Sequence, residues 1–188
     1  MFVSQAKYIK ELLDQVDLQN SKSCATLCFP YHHLLKDDGK PYSRPQQYRS
    51  IVGALQYLTF TRPNIAFFVN QACQFMHNPM KSHVVAVKRI LRYLKGTLDY
   101  GIHFQPGTLN LQAYSDADWA GDPNDRRSVS GFIVYLRSSL FHGLLRNNIL
   151  SLVFLLRLNI ELSLLLLQSL HGFSNCSVIF MSHYLFLL

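Results

Sequence analysis

The chain has 188 residues, 49% of them hydrophobic and 15% charged, so it is long enough to bury a core and too apolar to be disordered. Eighteen Lys and Arg against eleven Asp and Glu give a net charge of +7, which favours a polyanionic partner or an anionic surface. Four scattered cysteines exclude a disulfide scaffold and indicate a reducing compartment. The first twelve residues lack the apolar stretch of a secretory leader, so we expect an intracellular protein.

The spacing of apolar residues predicts helices at four places in the first half of the chain. They are predicted over residues 4–17, 48–59, 63–78 and 82–95. The expected buried stripe is Ile65, Phe68, Val69, Ala72 and Met76 in the third helix, and Val84, Val87, Leu91 and Leu94 are expected to face inward in the fourth. Ser4 is the expected N-cap of the first helix, and Gly96 is the expected C-cap of the last and most regular one. The intervening segment Ser21–Pro45 is rich in turn-forming residues, which predicts a loop or an extended connection.

After Gly96 the apolar period changes from that of a helix to that of a strand. Three strands, joined by turns of Gly, Pro and Asp, are predicted over residues 98–104, 109–116 and 131–136. A boundary between two pieces of the chain is expected near residues 96–98. The sequence therefore predicts an α+β fold, in which a helical part precedes a β-meander.

The composition changes again beyond about Leu136. The rest of the chain is almost wholly apolar, and nothing after Glu161 carries a formal charge. Residues 162–188 are long enough to cross a bilayer, although Gln168, His171, Asn175 and His183 dilute the stretch. A membrane-anchored protein with a C-terminal span is therefore one hypothesis.

Two carboxylates, Asp116 and Asp118, lie at the end of a predicted strand. Residues i and i+2 of a strand point to the same face, so the pair could share a divalent cation. Two Mg²⁺ ions held by carboxylates commonly cleave phosphodiesters, but such a site needs three or four acidic ligands. The alternative is that these residues are acidic because turns favour acidic residues.

Basic residues cluster on one side of the helix predicted over 82–95 and in a later loop. Cations on one helical side can neutralise phosphates without reading sequence, although a merely solvated face would look the same. The set comprises Lys88, Arg89, Arg92, Lys95, Arg126 and Arg127.

A third pattern is Cys24, Cys28 and His32, with His33 adjacent. Structural zinc sites begin with a closer Cys pair and continue with a second pair of ligands. The spacing is therefore a weak indication of metal binding.

The chain contains the run YRSIVGALQYLTFTRPNIAFFVNQACQFMHNPMKSHVVAVKRILRYLKGTLDYGI, and the run AYSDADWAGDPNDRRSVSGFIVYL follows it. From about Phe2 to Leu140 the sequence resembles the Pol polyprotein of copia-type LTR retrotransposons. The resemblance implies that the first part corresponds to the C-terminal thumb and connection of reverse transcriptase, and the second to the start of ribonuclease H. It further implies that Asp116 occupies the position of the first metal-binding carboxylate of ribonuclease H, and that Asp118 is a weaker candidate.

The resemblance stops after Leu140, where the family continues with Ile-Ser-Trp-Ser-Ala-Lys-Lys-Gln. Back-translation of residues 140–148, read one base out of frame, permits those eight residues in order. The shifted frame continues through Leu162 and permits Ser-Thr-Glu-Ala-Glu-Tyr-Arg-Ala after one misfit at Val153–Phe154. That run carries the family's catalytic glutamate, which would be encoded across Leu156 and Arg157 in the other frame. We infer a one-base deletion, or an equivalent slip, near Arg137–Leu140.

The resemblance and the frameshift together imply three segments. Residues 1–97 are a remnant of the reverse transcriptase C-terminus, residues 98–140 carry the first strands of a ribonuclease H-like mixed sheet, and residues 141–188 are an apolar, non-native tail.

The Tyr-x-Asp-Asp turn of the polymerase does not occur in the sequence. We therefore expect a catalytically inactive remnant without a cofactor, although intact relatives use Mg²⁺. The expected partner is an RNA–DNA hybrid or another nucleic acid, bound weakly, with no small-molecule substrate. The alternative is membrane association of the tail.

Overall fold

The computed structural model describes residues 1–28, 34–37, 39–106, 110–117, 124, 128–136, 139–148 and 175–182. The chain divides into two compact units. The helical unit is Phe2–Ile102, and the sheet unit is His103–Leu188 together with Met1. The division therefore follows Ile102, whereas the sequence placed a boundary between residues 97 and 98.

The helical unit contains four α-helices and a two-stranded sheet among its described residues, and a single 3₁₀ turn, Pro63–Ile65, leads into the third helix. The elements are β1 (Phe2–Val3), α1 (Ala6–Gln15), α2 (Pro45–Leu58), α3 (Ala66–Cys73), α4 (Lys81–Gly96) and β2 (Ile102–His103), which ends one residue beyond the unit.

One apolar core holds the four helices together. Each helix contributes residues that recur at intervals of three and four, which is the spacing of one helical face. On α4, the predicted inward residues Val87, Leu91 and Leu94 are buried, and Val84 packs partly buried against them. The buried members are Ile9, Leu12, Leu13, Tyr48, Val52, Leu55, Leu58, Ile65, Val69, Ala72, Val87, Ile90, Leu91 and Leu94.

Both expected caps are wrong. The N-cap of α1 is Gln5, which makes no capping hydrogen bond through its side chain, rather than Ser4. Gly96 is the last residue of α4, and Thr97 is the C-cap. A Cβ on Gly96 would stand 3.1 Å from the Cβ of Ser23, so this glycine serves the close approach of another segment rather than a left-handed cap.

The helix predicted to continue to Asn78 ends at Cys73. Residues 74–76 continue as tighter turns, because their N–H groups donate to the carbonyls three residues earlier instead of four. The predicted apolar stripe is still present, since Val69 and Ala72 are buried and Met76 packs against the core.

Two buried polar side chains tie the ends of α4 to neighbouring segments. At its start, His83 accepts the Met80 N–H on Nδ1 at 3.0 Å and donates from Nε2 to the Leu35 carbonyl at 2.8 Å. Beyond its end, Arg62, only 2% exposed, donates to the Thr97 carbonyl at 2.8 Å and to the Thr97 hydroxyl at 2.6 Å. Both side chains therefore fix α4 by hydrogen bonds that are shielded from water.

The sheet unit contains a four-stranded mixed sheet in the order β5-β4-β3-β6. The β3–β4 and β4–β5 pairs are antiparallel, and the β3–β6 pair is parallel. The strands are β3 (Asn110–Ala117), β4 (Ser128–Leu136), β5 (Ser139–Asn148) and β6 (Asn175–Ser182).

The predicted meander is correct for β3 and β4 and wrong for its first strand. Of residues 98–104, only Ile102–His103 are in a strand, and they pair with β1 instead of β3. The third antiparallel strand is β5, which lies largely within the predicted tail, and β6 lies wholly within it. Strand pairing is made by backbone groups, so an apolar segment can form a strand without a selected side-chain pattern.

Most of the proposed C-terminal span, residues 162–174 and 183–188, lies outside the described residues. Within the described part of the chain, no helix has the length and apolar character needed to cross a membrane.

Two groups packed in the core make the helical unit less stable at alkaline pH. Burial raises the pKa of the Tyr48 hydroxyl, which donates to the Ala72 carbonyl at 2.9 Å, and it raises the pKa of the Cys73 thiol to about 11. Because the fold favours both neutral forms, their contribution to stability is complete below the unfolded pKa values and is lost as pH rises. The free energy of unfolding should therefore fall from about pH 8.5 upwards, the unfolded pKa of cysteine.

Urea unfolding followed by helical circular dichroism between neutral pH and about pH 11 measures this decline. Cys73→Ala should flatten its first part, while Cys28→Ala, at an exposed position, should leave it unchanged. Equal pH slopes in the wild type and Cys73→Ala would contradict the assignment.

Candidate nucleic-acid interface

The positive charge of the chain is concentrated in the helical unit. Residues 2–102 contain thirteen Lys and Arg against six Asp and Glu, whereas residues 103–188 contain five of each. Within residues 39–98 there are nine Lys and Arg and no acidic residue. The whole net charge of +7 therefore lies in the helical unit, where its field attracts polyanions.

The side of α4 that faces away from the core carries a row of cations. Lys81, Val85 and Lys88 are exposed and Arg92 is half-buried. Their spacing of four, seven and eleven residues from Lys81 places them along one line of the helix. Val85, 51% exposed, is an apolar residue between the cations. The structure thus places Lys88 and Arg92 on one line of the helix, and Lys81 lies on the same line.

The other two predicted cations of α4 donate hydrogen bonds to another segment of the chain, Lys95 to backbone carbonyls and Arg89 to a side-chain hydroxyl. Lys95 Nζ donates to the Gln19 carbonyl and, at 2.6 Å, to the Ser21 carbonyl, and Arg89 donates from Nη2 to the Thr26 hydroxyl. Residues 19–26, which we term the covering segment, therefore lie against the part of α4 that carries Arg89 and Lys95. Arg89 and Lys95 are both half-buried as a result.

A backbone hydrogen bond and the pKa of a thiol both reflect the contact between the covering segment and α4. The Cys24 N–H donates to the Arg92 carbonyl at 3.1 Å. The pKa of the Cys24 thiol is lowered, first by a hydrogen bond from the Thr26 backbone, and further by the Thr26 hydroxyl and the charges of Arg89 and Arg92, against the opposing effect of desolvation. Negative charge is therefore favoured where the covering segment meets α4.

Asp116 lies in β3 with its side chain exposed, opposite Gly131 of β4 and Met181 of β6. Asp118, Arg126 and Arg127 lie outside the described residues, so the structure does not test the proposed carboxylate pair or the loop cations.

The same holds for His32 and His33 of the zinc hypothesis. In the parts of the chain that the structure describes, no group of three or more His, Cys, Asp or Glu is placed to hold a metal ion.

A small cleft opens beside Arg89, between the loop after the covering segment, α3 and α4. Its volume of about 40 Å³ accommodates a water molecule or two and is too small for a nucleobase. The lining residues are Leu27, Cys28, Leu34, Phe68, Gln71, Ala72, Ala86, Arg89 and Ile90.

Lys95→Met should loosen the covering segment, because it removes the donor to two backbone carbonyls. We expect the free energy of unfolding to fall by about 1 kcal/mol and alkylation of Cys24, measured by peptide mass spectrometry, to change. Lys88→Met removes the same charge from an exposed position and should shift stability by less than about 0.5 kcal/mol. Indistinguishable unfolding curves for the two variants would refute the structural role of Lys95.

Three curated proteins illustrate the similarity of the chain to known sequences. It is 49% identical over 137 residues to the retrovirus-related Pol polyprotein from transposon RE1 of Arabidopsis thaliana, which is 72% of this chain and 9% of that protein. It is 36% identical over 140 residues to the retrovirus-related Pol polyprotein from transposon TNT 1-94 of Nicotiana tabacum, covering 71% of this chain and 10% of that protein. It is 43% identical over 106 residues to an uncharacterized mitochondrial protein of Arabidopsis thaliana, covering 56% of this chain and 95% of that protein.

The chain thus spans about a tenth of the length of the two polyproteins that it matches. No protein-family profile matches it. No solved structure is significantly similar to it. On the strength of the curated relatives, the chain belongs to the Pol polyproteins of copia-type retrotransposons and corresponds to a fragment of them.

Proposed function

We propose that the chain is a retrotransposon-derived remnant that binds the backbone of nucleic acids through α4 and catalyses neither polymerisation nor cleavage. The observation that carries the proposal is the division of α4 into two sides. One side is buried in the core, and the opposite side presents cations in a stretch of sixty residues that contains no acidic residue.

Lys81 and Lys88 are exposed side chains on a rigid helix, and Arg92 lies on the same line. Such cations contact phosphates without reading bases, which predicts affinity that depends on salt rather than on sequence. The relatives are named as Pol polyproteins of transposons, which supports an RNA–DNA hybrid as the natural form of duplex.

The sheet unit is proposed to contain the opening strands of a ribonuclease H-like domain, and the helical unit to be the thumb and connection remnant. The mixed sheet, with Asp116 near the end of β3, supports this assignment. A two-metal site requires several carboxylates, and the family's catalytic glutamate is replaced by the shifted codons of Leu156 and Arg157. Asp116 by itself cannot hold two cations.

The alternative, a membrane anchor in residues 162–188, gains no support from the described residues. The part of that segment that the structure describes, Asn175–Ser182, is a strand in the sheet.

Binding should weaken steeply with salt. Fluorescence anisotropy of a labelled RNA–DNA hybrid should show a loss of affinity of at least tenfold between about 50 and 200 mM salt, because each neutralised phosphate contributes about −0.9 to the logarithmic slope. Lys88→Glu should flatten the slope by about 1. Lys10→Glu, an equal reversal at an exposed position of α1, should change it less. No binding by the wild type, or equal slopes for the two variants, would exclude α4 as the contact surface.

The chain should not cleave the RNA strand of a hybrid in Mg²⁺ or Mn²⁺. The resemblance places Asp116 at the position of the first metal-binding carboxylate. Because the site is proposed to be incomplete, Asp116→Asn should leave the products of an end-labelled hybrid assay unchanged. Cleavage by the wild type that disappears in Asp116→Asn would overturn the proposal of an inactive remnant.

A further inference from the structure

A short antiparallel contact joins the loop before α2 to the start of α4. Pro41 forms a bridge with Met80, the Tyr42 N–H donates to the Pro79 carbonyl at 2.8 Å, and the Lys81 N–H donates to the Lys40 carbonyl at 2.9 Å. These contacts hold residues 40–42 against residues 79–81 in a fixed register. Lys40 is therefore directly opposite Lys81, although forty-one positions separate them in the sequence.

The register places the two lysines next to each other on the solvent side. Both residues are exposed. Like charges directly opposite each other are unfavourable. The nearest carboxylates in the sequence, Asp37 and Asp38, precede Lys40 by three and two residues, and no further acidic residue follows until Asp99. A bound phosphate would relieve this repulsion.

We infer that Lys40 and Lys81 are a phosphate-binding pair that lengthens the α4 contact into a basic track of Lys40, Lys81, Lys88 and Arg92. This inference rests on the proposed nucleic-acid binding and specifies the residues that perform it. The eleven residues from Lys81 to Arg92 rise by about 16 Å along the helix. That length matches about five steps of 3.4 Å along one strand of a duplex.

The basic track differs from the set that the sequence indicated. Arg89 and Lys95 donate to the covering segment, so their charges are already engaged by neutral groups of the chain. The bridge between the segments of Lys40 and Lys81 is made by backbone atoms, so it does not use their ammonium groups. The pair is thus placed by the fold while its ammonium groups face solvent.

The test compares two double variants of the full chain that lose the same charge. Lys40→Ala with Lys81→Ala removes the pair, and Lys7→Ala with Lys10→Ala removes two exposed lysines of α1. Affinity for a labelled hybrid of about 16 base pairs is measured by anisotropy across a tenfold range of salt. The pair variant should have a slope flatter by about 1.8, so its affinity should fall about 60-fold less than that of the wild type over this range. The α1 variant should keep the wild-type slope.

Three outcomes distinguish failure of the proposed nucleic-acid binding from failure of the Lys40–Lys81 pair. If the wild type does not bind the hybrid, both the proposed function and the pair fail. If it binds, and Lys88→Glu weakens binding while the pair variant behaves as the α1 variant does, only the pair fails. The second probe is vesicles of phosphatidylcholine and phosphatidylserine. If the pair variant loses binding to the vesicles but not to the hybrid, the assignment to nucleic acid is overturned. Thermal unfolding of the pair variant should be unchanged or slightly higher, since a repulsion is removed.

Discussion

Burial of one side of α4 is the constraint on which the helical unit and its proposed surface both depend. Val87, Leu91 and Leu94 anchor that side in the core, and each buried side chain of this size contributes about 1.5–3 kcal/mol. A helix repeats every 3.6 residues, so fixing these positions also fixes which residues face solvent. The basic row along α4 is therefore a geometric consequence of the core, and its position is as rigid as the core.

The helices could be predicted from the sequence because their signal is local. Apolar spacing located all four, and it identified the buried face of α4. It could not show how the remaining cations are used. The engagement of Arg89 and Lys95 depends on residues 19–26, and the position of Lys40 depends on a bridge to Met80. The spacing of seven residues between Lys81 and Lys88 could have placed Lys81 on the same side of the helix, whereas no sequence pattern indicated these long-range contacts.

The sheet unit was less predictable, for a related reason. The alternation of apolar residues located β3 and β4, but strands acquire their partners from distant segments, and β5 and β6 lie in a stretch where composition indicated only an apolar tail. Three of the predicted site residues, Asp118, Arg126 and Arg127, lie outside the described part of the chain. The carboxylate pair therefore rests on strand spacing and the family resemblance, and the loop cations rest on the sequence alone, whereas the α4 surface rests on geometry.

The parallel pairing of β3 with β6 determines the order in which the two units can fold during synthesis. Fifty-seven residues lie between the end of β3 at Ala117 and the start of β6 at Asn175, whereas the helices are complete by Gly96. Long closures of this kind are slow, and chains emerge from the ribosome N-terminus first. The helical bundle can therefore fold during translation, while the backbone N–H and C=O groups on one edge of β3 remain unpaired until β6 is synthesised. In that interval the edge is a template on which nascent copies can pair with one another.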